Sequence, residues 1–389
     1  MIWQPPVPMG ATDHTGRPWR TVRAWPDKVP GDYLLEVLTP GRKGVRAAHV
    51  RHGHFELVPR DDPGMPALRM EARRGEVIAH RPHKRAVIRA KDEYIKVFRP
   101  GRAVVSAEHC EQMHRLLLTG TFVAPTIIRS STDVIVYGAI PGRTLRELGE
   151  DPKVNDETFG GIWGQWARAW VAQFAAPHAA TERKVLAGLP IHPPEKEATD
   201  VWLWVNRWIH HNEYVPESWP GRDVLRAKAH EVAESLLRLS PDPLVWAHGD
   251  LHDKQVMCTD GKSPLGLLDF DAAARAEAAR DLANLDVHLA LRHHLHLLTP
   301  ERYAIAHAQV LAASTDLHVT PARFHAYAAA ARLRLACLYS FRPGFGSVSS
   351  SLLDEPVLLD KQQAQLPFGE SNTPNCTATA PEHARKIVI

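Results

Sequence analysis

Two short stretches of this chain carry residue types that could do chemistry. Ala247 to Gln255 reads Ala-His-Gly-Asp-Leu-His-Asp-Lys-Gln, and Leu267 to Asp271 reads Leu-Leu-Asp-Phe-Asp. Each follows an apolar, strand-like run, "LVWA" before the first and "PLGLL" before the second. Two strands ending side by side would bring Asp250 and Asp269 to one edge of a sheet. Phosphoryl transfer needs metal ligands at the phosphates, a cation on them, and a carboxylate that orients or deprotonates the acceptor hydroxyl. Asp269 offers hard oxygen to Mg²⁺, and Asp250 suits the acceptor hydroxyl. A lone Asp in such a turn is usually a loop cap, and it is the joint pattern that favours chemistry.

The elements that must position these turns follow from patterning. Residues up to about Pro30 are rich in Pro, Gly and polar types, which predicts an irregular arm over residues 1–32. From Tyr33 short apolar or alternating runs separated by Gly or Pro predict a β-rich extension over 33–74, ending in a short helix near Met65 to Arg74. "EVIAH", "RAVIRA" and "EYIKVF" predict three further strands, and the spacing of Val104, Ala107, Cys110, Met113 and Leu117 predicts a helix. With "TIIRS" and "DVIVYGAI" these make a mainly β unit over 75–137 carrying one long helix. Helical periods dominate 138–345, and the Ser-, Pro- and Gln-rich segment 346–389 predicts a loosely ordered tail. The fold class is α+β.

Composition bounds the function. At 389 residues, 44% hydrophobic and 23% charged, the chain has the make-up of an ordinary globular protein long enough for two lobes. A net charge of +3 with no dense Lys/Arg block argues against nucleic acid as a partner. No apolar run approaches the roughly 18 residues a spanning helix requires, and the N-terminus lacks a signal-peptide layout. A cytoplasmic address without membrane attachment is expected. Cys110, Cys258, Cys337 and Cys376 form no CxxC pair, so neither a zinc site nor a disulfide framework is indicated, and the sequon at Asn375 is incidental.

"HGDLHDKQ" followed by "LLDFD" resembles the catalytic loop and metal-binding turn of the aminoglycoside phosphotransferase and choline kinase superfamily. The resemblance covers roughly Gly75 to Leu298 and implies a protein kinase-like two-lobed fold, with an N-terminal antiparallel sheet and a mainly helical C-terminal lobe. It implies ATP and Mg²⁺ as cofactors and a small-molecule hydroxyl as acceptor. Carried over residue by residue, Asp250 is the catalytic base, Asp269 a metal ligand, and Lys96 in "EYIKVF" the phosphate anchor. Glu111 matches the lysine-pairing glutamate, with Glu108 one turn earlier as the alternative. The backbone of Gly138 to Ile140 matches the adenine hinge, His248 and His252 brace the loop, and Asp281 in "ARDLANL" is a structural brace. Two positions depart from the pattern. "HRPHKRAV" lacks the glycines of a phosphate loop, leaving backbone amides and Arg85 to serve. Gln255 stands where most members carry a metal-binding Asn, and its amide oxygen is the same ligand on a stem one methylene longer. Maltokinases and bacterial glucosamine kinases resemble this chain in having Gln there and an N-terminal cap, which tilts the expected acceptor toward a sugar, an amino sugar or an aminoglycoside. A nucleotide-binding regulator without turnover and an amino-alcohol kinase are the alternatives.

The remaining conspicuous residues divide. Trp163, Trp166 and Trp170 recur at helical spacing and read as core. Trp202, Trp204, Trp208 and Trp219 lie among carboxylates (Glu195, Glu197, Asp200, Glu213, Glu217 and Asp223), where the superfamily builds its acceptor site. His288, His293, His294 and His296, like His49, His52 and His54, lack the spacing and acidic partners of a metal shell and read as solvated or interhelical.

Overall fold

Between Gly10 and Leu57 short apolar runs broken by Gly turns fold into a five-stranded antiparallel sheet. Its strands are β1 (Gly10–Thr12), β2 (Pro18–Pro26), β3 (Tyr33–Leu38), β4 (Arg46–Arg51) and β5 (His54–Leu57), in that spatial order. The computed structural model describes residues 5–117, 121–175, 180–216, 219–259 and 264–354. Strand β2 corrects the reading of residues 1–32 as an irregular arm. A register shift between Thr21 and Arg23 interrupts its alternation, so the period of two is invisible in the sequence although Trp19, Thr21 and Ala24 are all buried. The sheet's core of Trp19, Tyr33, Leu35 and Val50 also takes in Phe341 and Trp204, far along the chain.

A second sheet follows the short helix α1 (Leu68–Glu71). It contains β6 (Glu76–Arg81), β7 (Arg85–Arg89) and β8 (Glu93–Phe98) and, after helix α2 (Ala103–Leu116) and the short β9 (Phe122–Val123), β10 (Ile127–Ser130) and β11 (Val134–Gly138). The spatial order β10-β11-β8-β7-β6 makes β8 the central strand, paired antiparallel on both sides. Alternation on β8 sends Ile95 and Val97 into a core with Met65, Leu68, Ala86 and Ile88, and turns Lys96 to the other face. Helix α2 buries Ala103, Ser106, Ala107, Cys110 and Met113, an i, i+3, i+4 stripe, against that face.

The rest is mainly helical. β12 (Arg143–Thr144) leads into α3 (Leu145–Glu150), whose start is a capping box between Thr144 and Glu147. Then come α4 (Asp156–Ala175), α5 (Ala180–Gly188), α6 (Pro194–His211) and α7 (Trp219–Arg238). Four short strands, β13 (Leu244–Ala247), β14 (Val256–Cys258), β15 (Leu265–Leu267) and β16 (Ala274–Glu277), precede α8 (Ala278–His294), α9 (Pro300–Asp316), α10 (Pro321–Ser340) and α11 (Gly346–Asp354). Trp163, Trp166 and Trp170 form the expected core, with ring centroids 5.4 and 6.0 Å apart, and Trp170 continues to Trp246 at 5.2 Å. Helix α11 corrects the loosely ordered reading for residues 346–354, because Val348, Leu352 and Leu353 recur on one face and are buried. The remainder of that tail, with Cys376 and the sequon, lies outside the described residues. No described helix is long and apolar enough to cross a membrane.

Candidate active site

The loop from His248 to Gln255 links β13 to β14 and is anchored through its backbone. The carboxylate of Asp281, in the first turn of α8, accepts hydrogen bonds from the amides of His248 (2.6 Å) and Gly249 (2.9 Å). Burial pushes this carboxyl above the usual carboxylate range, against the lowering pull of His248, Arg280 and the two amides. His248 is buried. Its Nε2–H donates to the Leu268 carbonyl (2.8 Å), while Nδ1 accepts from the amide of Asp250 (3.4 Å). One imidazole thus couples Asp250 to the turn that carries Asp269. His252 packs against His288 with ring centroids 4.8 Å apart, accepts from the Lys254 amide, and is pushed down to about 4 by burial, so it is neutral at neutral pH.

Gly249 has φ +86, and an added Cβ would stand 1.9 Å from the carbonyl oxygen of Ala272. Gly249→Ala is therefore expected to lower stability by about 2 kcal/mol or more and to displace Asp250. Thermal melting and turnover measured on the same preparation check both effects.

Leu267 leads out of β15 to Asp269, which adopts φ 62, a left-handed conformation that Asp tolerates better than most residues and that turns its carboxylate across the cleft. There Lys96 Nζ donates to Asp269 Oδ1 (2.7 Å) and to Asp271 Oδ2 (3.3 Å). Arg85 Nη1 reaches the same Asp271 oxygen (3.1 Å), and the hydroxyl of Ser106 on α2 donates to the other. The lysine holds the Asp269 carboxyl well below its usual range in spite of burial. The two carboxylates likewise hold Lys96 above the ordinary range, although burial alone would lower it.

This geometry corrects one pairing. Glu111, expected beside Lys96, lies on the exposed side of α2, as does Glu108. The helix is turned so that Ser106 and Cys110 face the sheet, and a residue one position past Cys110 is rotated about 100° away from it. Asp271 and Ser106 were not singled out from the sequence. The acidic residue at the end of "LLDFD" was a legible signal, whereas nothing local distinguished Ser106.

Gln255 joins the two turns through its backbone: its amide donates to the His252 carbonyl (2.9 Å) and its carbonyl accepts from the Leu268 amide (2.9 Å). Its half-buried side chain has Nε2 3.5 Å from His252 Nε2, and its amide oxygen, like the carboxylate oxygens of Asp269 and Asp271, is a hard donor of the kind that fits Mg²⁺. Among the described residues no group of three or more His, Cys, Asp or Glu side chains is arranged to hold a metal. Magnesium at a nucleotide site needs only one or two protein carboxylates, because phosphate oxygens and waters complete its shell. At the hinge the amides of Gly138 and Ala139 already donate to the carbonyls of Thr126 (2.9 Å) and Asp92 (3.0 Å).

Helix α6 is tied to the start of α8 through Glu197 and Arg280. Glu197 is buried and receives Arg280 Nε (3.0 Å) and His192 Nε2 (2.9 Å). Burial works to raise its carboxyl, but His192 and Arg280 prevail and hold it at about 2. Its folded value is below the ordinary 4.5, so its contribution to stability is present above pH 4.5 and is lost as pH falls toward 2. Acid titration of the unfolding free energy should show a shallower slope across that window in Glu197→Gln than in wild type. An unchanged slope would remove Glu197 from the account.

The cluster of tryptophans among carboxylates is also redistributed. Trp208 is fully buried, Trp202 packs edge-on to His230 of α7 (4.8 Å), and Trp204 joins the core of the N-terminal sheet. The carboxylates are largely matched: Asp200 is paired with Lys196 and His192, and Asp223 with Arg226. The side chains of Glu217 and Trp219 lie outside the described residues. Helical periodicity puts Trp204 and Trp208, four residues apart, on one side of the helix and turns Trp202 away from them toward His230.

Comparison with known proteins follows this geometry. The model of a phosphotransferase enzyme family matches residues 80–294. No curated protein matches significantly. Among solved structures the chain is similar to an ethanolamine kinase from Plasmodium vivax, at 14% identity over 72% of this chain and 82% of that one, with a TM-score of 0.48. It is similar to a complex of streptomycin, ATP and the aminoglycoside phosphotransferase APH(2")-IIa, at 12% identity over 74% and 95%, with a TM-score of 0.46. A macrolide 2'-phosphotransferase from Brachybacterium faecium aligns at 20% identity over 70% and 89%, with a TM-score of 0.39.

Proposed function

Because the chain belongs to the phosphotransferase enzyme family, we propose that this small-molecule kinase transfers the terminal phosphoryl group of ATP to a hydroxyl of a sugar or sugar-like acceptor. The observation that carries this reading is the meeting of Lys96 with Asp269, 173 residues apart in sequence and 2.7 Å apart in space, beside a loop that presents Asp250.

In this reading Lys96 and Arg85 exchange their carboxylate partners for nucleotide phosphates, which releases Asp269 and Asp271 as metal ligands together with Gln255. Bound Mg²⁺ would supply neutralisation of the phosphate charge. Asp250 accepts the acceptor's hydroxyl proton, and the hydrogen bond through His248 keeps it in register with the metal turn. The amides of Gly138 and Ala139 are occupied, so the hinge role falls to the backbone around Ile140. Glu111 has no part in positioning Lys96, and Ser106 takes the place on α2 that faces the charged cluster.

A mass-shift screen with ATP and Mg²⁺ across sugars, amino sugars, aminoglycosides and amino alcohols tests the proposal. Transfer to a sugar-type hydroxyl is the expected result. Transfer confined to amino alcohols would reassign the acceptor, and binding of Mg-ATP with no transfer to any class would favour a nucleotide-binding regulator.

A further inference from the structure

His49 on β4 and His83 in the β6–β7 turn, 34 residues apart in sequence, meet ring to ring. Their Nε2 atoms are 2.8 Å apart, with the rings tilted by 22° and the centroids separated by 4.9 Å. The nitrogens are too close for stacked rings, and the arrangement fits an N–H···N hydrogen bond lying near both ring planes. Asp62 decides which way that bond runs. Its buried carboxylate accepts from His83 Nδ1–H (2.6 Å), His80 Nε2–H (3.1 Å) and the amides of His83 (2.8 Å) and Gly64 (2.9 Å). Burial works to raise Asp62, but these hydrogen bonds hold it well below the usual carboxylate range, so it stays charged. With Nδ1–H committed to Asp62, neutral His83 offers a lone pair at Nε2, and His49 Nε2–H donates to it. The opposite direction would leave a proton on His49 Nδ1, which is buried without a partner.

The turn held in this way carries Arg85. His83 adopts φ 55, a left-handed conformation that needs support, and a Cβ added to Gly64 would stand 2.9 Å from His83 Cα, so the 62–64 segment cradles it closely. The turn itself offers an anion little backbone cradle. Pro82 has no N–H, the His83 amide goes to Asp62, and the Lys84 amide goes to the Arg81 carbonyl (3.1 Å). Contact with phosphate therefore falls to side chains, and Arg85, two residues past His83, already reaches across the cleft to Asp271 Oδ2 (3.1 Å).

The bond between the imidazoles lasts only while the pair takes up no proton, because a proton on His83 Nε2 would set N–H against N–H. Burial, then the charges of Arg51 and His83, hold His49 below the ordinary imidazole range, against the pulls of Asp27 at the end of β2 and Glu56 opposite it on β5. Leu34, its neighbour on β3, is apolar, and the charges around His83 are Asp62, His80, Arg81 and Lys84. The folded value of His49 lies below the ordinary 6.5, so its contribution is present above pH 6.5 and is lost as pH falls below it.

We infer that His49 is a positioning residue for the nucleotide phosphates: its hydrogen bond to His83 ties the β6–β7 turn, and with it Arg85, to the N-terminal sheet, and a proton taken up by the pair releases the turn. The role toward nucleotide rests on the phosphotransferase reading, and the tie rests on the geometry of His49, His83 and Asp62.

Nucleotide binding by wild type, His49→Phe, His49→Gln and His83→Ala at pH 7.5 and 5.5 tests this. Phe fills space without a donor, whereas Gln restores an amide N–H that does not titrate. At pH 7.5 Mg-ATP should bind about tenfold or more weakly to His49→Phe and His83→Ala, while adenosine, which lacks phosphates, binds within about twofold of wild type. His49→Gln should recover most of the loss for Mg-ATP. The His83 side chain is 38% exposed, so His83→Ala carries the test if His49→Phe does not fold. At pH 5.5 wild type should fall to the affinity of His49→Phe and His49→Gln should not, a comparison in which the titration of ATP itself cancels. Amide exchange over residues 83–85 should quicken in His49→Phe and stay as in wild type in His49→Gln. Mg-ATP binding alike in all four proteins at both pH values, or equal losses for Mg-ATP and adenosine, overturns the inference. Faster exchange over the turn in His49→Phe, with no nucleotide bound by wild type, keeps the tie and counts against the phosphotransferase reading instead.

Discussion

Asp250→Asn is expected to lower kcat by about 10² to 10⁴ while leaving Mg-ATP binding and the melting temperature close to wild type. The separation of effects follows from how the loop is built. Its position depends on backbone amides held by Asp281, on His248 bridging to Leu268, and on the Asn284 side chain donating to the Leu251 carbonyl (2.8 Å). None of these uses the Asp250 carboxylate. Asn has the same shape, so the substitution removes a proton acceptor from the site and little else. Single-turnover kinetics with the acceptor found by screening, together with nucleotide titration, would measure both quantities. A variant that kept more than a tenth of wild-type kcat would remove Asp250 from the role of base.

Glu277→Ala is expected to destabilise the protein by about 3–5 kcal/mol. Glu277 and Arg323 are both fully buried. The carboxylate receives Arg323 Nε (2.7 Å) and Nη2, the Tyr327 hydroxyl (3.0 Å) and the Asp242 amide (2.9 Å). Arg323 also donates through Nη1 to the Leu236 carbonyl (2.8 Å). Removing the carboxylate leaves a guanidinium in the core without its counter-charge, with the Leu236 carbonyl remaining as an acceptor. The double variant Glu277→Ala/Arg323→Met removes both charges and should recover a large part of the loss. Chemical denaturation of the two variants side by side decides it. Glu277 ends β16, four residues before Asp281, so the single variant should also loosen the 248–255 loop and lower turnover beyond what unfolding explains.

What could be read in advance was local. Lys96 was legible because an alternating strand leaves one cation on the face opposite Ile95 and Val97. His248, Gly249 and Asp250, with Asp269, were legible because a tight polar turn after an apolar strand carries its own signature. The Trp163, Trp166 and Trp170 stripe was legible because period alone assigns it to a core. Strand β2 was hidden by the register shift that breaks its alternation, and α11 by its Ser-rich composition.

By itself, then, the sequence determined the α+β class, the sheet with its long helix, the two polar turns around Asp250 and Asp269, and their order along the chain. These depend on propensities and spacings that act within a few residues. Only the tertiary structure decided that Lys96 meets Asp269 and Asp271 instead of Glu111, that Ser106 faces the charged cluster, and that Trp204 packs against the N-terminal sheet while Trp202 meets His230. Each of those outcomes turns on the rotation of a helix or the docking of a sheet, set by the summed burial of apolar faces far apart in the chain, and no local pattern encodes that angle.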